Sequence, residues 1–314
     1  MHLFKYRIDN QNLYITLPSY RIDYNESFIS ELMYMAKVIN YKCYSDVHLQ
    51  YGKTFNAPKL VKAALCGMLD ILSNHVDARI WVPQNFNQKI RSHVNRKPGE
   101  EFTRKTLDDM ICEDRLNYYL FTNKKLVSQA VKNISEIIAR ESIVSNVDDY
   151  EEFLTTVIGE IFVNSMMHSQ QNEILLIFDV TLEENQFYLD VLILDYGKTI
   201  PENVQNYFKA NGYETLNTCS SIEWAMQDGH TTRSGSGGYG LPMMRKYVKK
   251  MNGLLNIISG DVSYVLSKGQ EFITNQEGFW PGTNVIFRIK LLDTEHVIKY
   301  EHNEEAHNIS LIDI

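Results

Sequence analysis

Residues 160–168 read Glu-Ile-Phe-Val-Asn-Ser-Met-Met-His, and this stretch decides our interpretation of the fold. Glu160, Asn164 and His168 recur every four residues, so the three polar side chains share one face of a helix. The apolar residues of 153–162 cover the opposite face, which we expect to pack on a core. Asn and His are mediocre helix formers, so the stripe indicates a functional face. For the stripe alone, a plain solvated helix surface is the alternative.

A second stretch, at 192–200, reads Leu-Ile-Leu-Asp-Tyr-Gly-Lys-Thr-Ile. An apolar strand ends in Asp195, and Gly197 follows two residues later. A carboxylate at the end of a strand can accept a hydrogen bond from an exocyclic amine, and a glycine lets a flat ring approach the backbone. Taken alone, Asp-x-Gly is more often a simple turn.

Two further stretches contain glycines. Residues 229–241 read Gly-His-Thr-Thr-Arg-Ser-Gly-Ser-Gly-Gly-Tyr-Gly-Leu, and residues 281–283 read Pro-Gly-Thr before an apolar run. The first contains a G-x-G-x-x-G spacing, but no apolar strand precedes it, so we do not interpret it as a dinucleotide fingerprint. A glycine loop that leads into a helix presents free N–H groups to an anion. A bare flexible loop is the alternative.

In their order and spacing, the four stretches resemble the GHKL superfamily, which includes gyrase, the ninety-kilodalton heat-shock chaperones, histidine kinases and mismatch-repair ATPases. The resemblance covers roughly residues 122–290 and implies the Bergerat fold, with ATP and Mg²⁺ as cofactors. Two departures are visible: Thr199 stands where the family usually has a second glycine, and an insertion-like segment, 268–282, precedes Gly282-Thr283.

By this resemblance, Glu160 is the catalytic residue that orients or deprotonates the attacking group. Asn164 is the Mg²⁺ ligand, and Asp195 accepts the adenine amine, with Thr283 helping through a water. The remaining nucleotide-binding residues that the resemblance implies are His168, Gly197, Gly238, Tyr239, Gly240 and Leu241.

Composition limits the class of protein. Of 314 residues, 44% are hydrophobic and 22% charged, which is typical of globular chains. The net charge of −8 argues against nucleic acid as the main partner. The four cysteines form no CxxC pair, the start has no apolar signal region, and no apolar run of about 18 residues occurs. We therefore expect a soluble, cytoplasmic protein with no membrane partner.

The sequence predicts a two-domain α/β chain. Residues 1–90 form an α/β domain with a β-α-β-α-β order that resembles STAS-like (anti-sigma antagonist) domains, with a generic α/β domain as the alternative. A charged connector is expected at 91–121, the GHKL ATP-binding domain at 122–290 and an acidic tail at 291–314. We expect residues 196–240 to be a mobile lid, and the first domain to shift against the second across a modest, polar interface.

The predicted function is a Mg-ATP-binding regulatory switch that hydrolyses ATP or phosphorylates a partner protein, as a GHKL-type ATPase or serine/threonine kinase. Residues 229–233, Gly-His-Thr-Thr-Arg, resemble the small serine kinases that act as anti-sigma factors. The alternative is a non-catalytic, ATP-dependent protein-interaction module. A protein partner is expected without an identity, and a homodimer is left open.

Overall fold

The computed structural model describes residues 2–41, 43–51, 57–83, 100–101, 104, 116–122, 124–140, 147–168, 173–232 and 238–291. Within these ranges the chain is a mixed α/β structure with two five-stranded sheets. Of the helices in the described ranges, none combines the length and the apolar composition that crossing a bilayer requires.

The N-terminal part of the chain is an α/β unit. Its strands, in sheet order, are β1 (Lys5–Asp9), β2 (Asn12–Leu17), β3 (Asp46–Tyr51), β4 (Arg79–Val82) and β5 (Glu100–Glu101). The middle three strands are parallel and the outer two are antiparallel to their neighbours. Helices α1 (Glu26–Tyr41) and α2 (Lys59–His75) connect the parallel strands. The predicted β-α-β-α-β order is present, and because such crossovers are right-handed, both helices lie on one face.

The second sheet is antiparallel throughout. Its strands, in sheet order, are β6 (Asn117–Phe121), β7 (Ile174–Glu183), β8 (Gln186–Asp195), β10 (Gln270–Lys290) and β9 (Leu254–Ser267). The helices that accompany it are α3 (Lys124–Arg140), α4 (Val147–His168), α5 (Ile200–Ala210), α6 (Thr218–Ala225) and α7 (Gly240–Lys250).

The strand bounds differ from the sequence expectation in three places. Strand β6 lies within 91–121, which we expected to be connector, and it pairs with β7. The sequence at 254–259 and 262–267 predicts two short strands, whereas β9 is one continuous strand from Leu254 to Ser267. Strand β10 begins at Gln270, so most of the insertion-like segment 268–282 is strand that pairs with β9.

Alternation along the central strands divides their side chains between two cores. One set packs on α3, α4 and α7 and includes Leu176, Phe178, Val191 and Ile193. The other set packs on α1 and α2 of the N-terminal unit and includes Leu175, Ile177, Leu192 and Leu194. Helices α1 and α2 are therefore sandwiched between the two sheets, and both faces of the second sheet are covered.

The expectation of a modest, polar interface between two shifting bodies is wrong, because α1 and α2 share one apolar core with the second sheet. Beside this core, β10 runs along α1. Lys37 Nζ donates to the carbonyl oxygen of Glu277 at 2.7 Å. A Cβ on Gly278 would lie 2.2 Å from the carbonyl carbon of Met33, so only glycine permits this close backbone approach. The segment 268–282 thus supplies the strand on which α1 docks.

The segment that we expected to be a lid contains two helices. The Thr199 hydroxyl accepts from Glu202 N at 3.1 Å and begins α5, and the Asn217 side chain accepts from Ser220 N at 2.8 Å and begins α6. The helices contact each other through Phe208 and Trp224, whose ring centroids are 5.6 Å apart. Residues 233–237 lie outside the described ranges, as do residues 292–314 of the expected acidic tail, and the mobility of the lid stays a prediction.

Candidate functional site

An open cleft lies beside the C-terminal end of β8, between α4 and the N-terminus of α7. Helices α5 and α6 form its third side. Of the residues predicted from the sequence, those that line the cleft are Glu160, Asn164, Asp195, Gly238, Gly240, Leu241 and Thr283. The fold therefore brings together residues from four separate stretches of sequence.

Asp195 ends β8 and is only 3% exposed. Its Oδ1 accepts from the main-chain N–H of Thr283 at 2.7 Å. Burial raises the pKa of Asp195 to about 6, and hydrogen bonds from the Ser165 side chain and the Thr283 main chain act in the opposite direction. A carboxylate has about four acceptor positions, so two donors leave it with acceptor capacity for a ligand in the cleft.

Gly282 brings Thr283 to Asp195. Its φ is +141°, and a Cβ there would lie 2.3 Å from the Asp195 main-chain oxygen. The Thr283 hydroxyl lies 2.9 Å from that of Ser259. Ser259 also donates to the Gly282 carbonyl at 3.0 Å and accepts from Ile200 N at 2.8 Å. One buried serine thus ties together β9, β10 and the start of α5.

Helix α7 begins directly against α4. A Cβ on Gly240 would lie 2.7 Å from Cβ of Glu160 and 3.0 Å from its Oε2. The Glu160 carboxylate therefore lies at the N-terminus of α7, where free N–H groups and the helix dipole favour negative charge. The same N-terminus, with Gly238 and Leu241, faces the cleft, so it can also receive the phosphates of a ligand.

Comparison with known families gives a match over the part of the chain that forms this cleft. The profile of the histidine kinase-, DNA gyrase B- and HSP90-like ATPases matches residues 149–293. Residues 149–293 therefore form a domain of the GHKL superfamily. Comparison with curated proteins gives no match. The matched range begins within α4 and ends just after β10, so it contains the whole cleft.

Of the residues that the resemblance implied and whose side chains the structure describes, Gly197 and Tyr239 do not line the cleft of the GHKL domain. Gly197 donates its N–H to the Pro281 carbonyl at 3.1 Å, which joins the turn after β8 to β10. Tyr239 is 50% exposed, and its carbonyl accepts from Met243 N at 2.8 Å. His168 is the last residue of α4, and its side chain lies outside the described residues.

Sequence reasoning missed several residues of the GHKL cleft. Its apolar lining comes from Ile161, Ile200, Val204, Trp224 and Val285, and its additional polar lining from Ser165, Lys198, Asn203, His230, Thr231 and Thr232. Lys198 directly follows Gly197, and Thr231 and Thr232 lie in the glycine-containing stretch 229–241. Their positions beside these motifs could have indicated that they line the cleft. His230 is held by Trp224: its Nδ1 lies 3.0 Å from the Trp224 carbonyl oxygen, and the two rings stack.

The polar groups of the GHKL cleft fit a magnesium–nucleotide complex. The described residues contain no cluster of three or more His, Cys, Asp or Glu side chains that could hold a metal alone. Mg²⁺ bound with a nucleotide needs no such cluster, because it takes one or two protein oxygens and completes its shell with phosphates and waters. Asn164 lies one turn after Glu160 on α4 and lines the cleft, so its amide oxygen would hold Mg²⁺ beside the phosphates.

Proposed function

We propose that this chain is a regulatory switch that binds Mg-ATP in the cleft between α4, β8 and α7 and either hydrolyses it or phosphorylates a partner protein. Membership of the family implies ATP binding and a regulatory function of the ATPase or kinase type. The observation that carries the proposal for this chain is Asp195. It is a buried carboxylate on the wall of an open, largely apolar cleft, opposite the N-terminus of a helix.

For nucleotide binding, each group has a role that follows from its chemistry. Asp195 accepts a hydrogen bond from the adenine amine, while Ile161, Val204 and Val285 provide apolar walls for the ring. The Thr283 hydroxyl assists through a water. The amides at the N-terminus of α7 bind the phosphates. Mg²⁺, when bound, supplies positive charge that neutralises the phosphate oxygens.

For catalysis, Glu160 is the base of the proposed site. Its carboxylate can orient the attacking water or hydroxyl and accept its proton. A positioned general base contributes roughly 10²–10⁴ to a rate. This assignment separates binding from turnover, because Asp195 and the α7 amides do not depend on the proton-accepting ability of Glu160.

One observation favours the alternative of a non-catalytic interaction module. Glu160 Oε2 would lie only 3.0 Å from a Cβ on Gly240, so this carboxylate also suits a structural role at the N-terminus of α7. In that case ATP would order the cleft and shape a surface for a protein partner, without turnover.

We assign the chain to a subtype of this family, the serine kinases that act as anti-sigma factors, on the basis of a sequence resemblance. It rests on the run Gly-His-Thr-Thr-Arg at 229–233 and makes a serine or threonine of a protein partner the phosphate acceptor. The N-terminal unit would then be a STAS-like regulatory domain, and a homodimer is one arrangement of the active protein. A cytoplasmic location belongs to the same proposal.

The experiment that tests the proposal uses the full-length chain with γ-labelled ATP. Purified protein is incubated with Mg²⁺ or with excess EDTA, and both free phosphate and labelled protein are measured. Mg²⁺-dependent release of phosphate supports the ATPase form of the proposal, and label on protein supports the kinase form. Binding of Mg-ATP without either product would replace the switch by the interaction module, and absence of binding would contradict both.

A further inference from the structure

Asp195, which binds adenine in the proposed site, is followed directly by Tyr196, which belongs to the interface with the N-terminal unit. Asp195 and Tyr196 follow each other at the end of β8, so their side chains point to opposite faces of the second sheet. Asp195 faces the nucleotide cleft, whereas Tyr196 packs against the core that α1 and α2 share with this sheet. A single peptide unit therefore joins the cleft to the N-terminal unit.

Both helices of the N-terminal unit hold Tyr196 at their C-terminal ends. The Tyr196 hydroxyl donates to Oδ1 of Asn40, in the last turn of α1, at 3.0 Å. Its ring stacks on His75, the last residue of α2, with centroids 4.0 Å apart and planes 9° apart. Neither Asn40 nor His75 lines the cleft. The N-terminal unit therefore fixes the residue after Asp195 without touching the nucleotide site.

A second contact holds the peptide unit between Asp195 and Tyr196, at the main-chain carbonyl of Asp195. Trp280 is 1% exposed within the shared core, and its indole N–H donates to the Asp195 main-chain carbonyl at 3.1 Å. Trp280 lies on the part of β10 that docks on α1, two residues after Gly278. Any displacement of α1 along β10 thus reaches Asp195 through Trp280 as well as through Tyr196.

We infer that Tyr196 is a positioning residue that couples the N-terminal α/β unit to the adenine pocket, so that the arrangement of α1 and α2 sets the affinity for ATP. The inference rests on the proposed binding of Mg-ATP by Asp195. Coupling between two sites is reciprocal. A ligand or protein that shifts α1 and α2 must therefore change ATP affinity, and ATP must change the affinity for that ligand or protein by the same factor.

The first test is a double-mutant cycle on the full-length chain, with Mg-ATP affinity measured by titration calorimetry. Asn40→Ala and Tyr196→Phe remove the same hydrogen bond from opposite partners. Each is expected to weaken binding by a similar factor, about threefold to tenfold. The double variant is expected to bind no more weakly than either single variant, because the second change has nothing left to remove.

The chain offers a matched control for this cycle. Asn133 of α3 donates to the Tyr119 hydroxyl of β6 at 3.0 Å, which is the same pair of residue types outside the cleft and outside the shared core of α1 and α2. Tyr119→Phe is expected to bind Mg-ATP like the wild type. Thermal unfolding of every variant confirms that the proteins compared are folded.

Hydrogen exchange on the wild type tests the coupling without substitution. Mg-ATP is expected to slow exchange in the last turns of α1 and α2, and to leave strands β1 and β2 unchanged. If the wild type binds Mg-ATP but the exchange of both helix ends and the affinities of Asn40→Ala and Tyr196→Phe are unchanged, the coupling is wrong while the proposed function stands. If the two losses of Mg-ATP affinity multiplied in the double variant, the coupling through this hydrogen bond would likewise be wrong. A wild type that does not bind Mg-ATP would overturn both.

Discussion

The main-chain N–H of Thr283 donates to the Asp195 carboxylate at 2.7 Å, across the pair formed by the end of β8 and the start of the apolar half of β10. This hydrogen bond fixes the orientation of a carboxylate that is almost completely buried. Burial is also the main reason that the pKa of Asp195 is raised to about 6. The adenine assignment therefore has a signature in pH dependence and in stability.

We predict that adenine binding weakens in acid. The adenine amine donates a hydrogen bond, so the pocket needs Asp195 ionised, and ligand binding should lower the pKa of Asp195 below its value of about 6 in the empty cleft. Affinity should be constant above about pH 7 and fall by up to about tenfold per pH unit below about pH 6. Adenosine is the suitable ligand, because it has no phosphate that titrates in this range.

The second prediction concerns stability rather than binding. Because the pKa of Asp195 is higher in the folded protein than its ordinary value of 3.8, its contribution to stability is fully present below about pH 4 and is lost as pH rises through about 6. Asp195→Asn removes the buried charge, so at pH 7.5 it should raise the free energy of unfolding by about 1–3 kcal/mol. Denaturant unfolding at pH 7.5 and pH 4 measures this. A variant less stable than the wild type at pH 7.5 would contradict the account of this site.

For Glu160, we predict that Glu160→Ala binds Mg-ATP within about threefold of the wild type but loses turnover by roughly 10²–10⁴. The control is Glu152→Ala, an exposed glutamate two turns earlier on α4, which should change neither quantity. Phosphate release under saturating Mg-ATP is the measurement. If Glu160→Ala released phosphate at the wild-type rate, Glu160 would be a structural partner of α7 and not the catalytic base.

We predict that a truncated chain that begins at Asn117 does not fold, because the second sheet shares its core with α1 and α2. Without α1 and α2, the second sheet would expose the apolar side chains of Leu175, Ile177, Leu192, Leu194, Ile258, Trp280 and Ile286. At about 1.5–3 kcal/mol for each fully buried side chain, the loss is at most about 10–20 kcal/mol, as large as the whole stability of a domain.

Circular dichroism and thermal unfolding of the truncated chain test this. Replacing Leu175, Ile177 and Leu192 by polar residues is expected to improve the solubility of the truncated chain, because their apolar surface is the cause of its failure. If the unmodified truncated chain were soluble and unfolded cooperatively at the temperature of the whole protein, α1 and α2 would contribute nothing to the core of the second sheet.

The parts of the site that could be predicted from sequence depend on short, local spacing. Glu160 and Asn164 are one helical turn apart, and Asp195 follows an apolar strand. These local spacings carry the resemblance to the GHKL superfamily, and the resemblance implied that the three residues share a site. Ser259 could not be found in this way. Its role arises only where β9, β10 and α5 meet, and a serine inside an apolar strand has no distinguishing local pattern.

Helices α5 and α6 and the burial of both faces of the second sheet were not predicted from the sequence, and each omission has a physical reason. Helices α5 and α6 are short, with 11 and 8 residues, and capping by Thr199 and Asn217 together with the contact between Tyr207 and Trp224 stabilises them. The burial of both faces of the second sheet could have been predicted from the sequence of β8. Residues 191–194 read Val-Leu-Ile-Leu without alternation, which is typical of strands buried on both faces.

The central claim is that Asp195 binds the adenine of ATP, and titration calorimetry of Mg-ATP with Asp195→Asn tests it most directly. Asp190→Asn is the matched control, because it makes the same change at a buried aspartate of the same strand, on the opposite face and beside Arg288. We predict that the wild type and Asp190→Asn bind Mg-ATP equally, while Asp195→Asn binds at least about tenfold more weakly. Equal affinity of Asp195→Asn and the wild type would contradict the account.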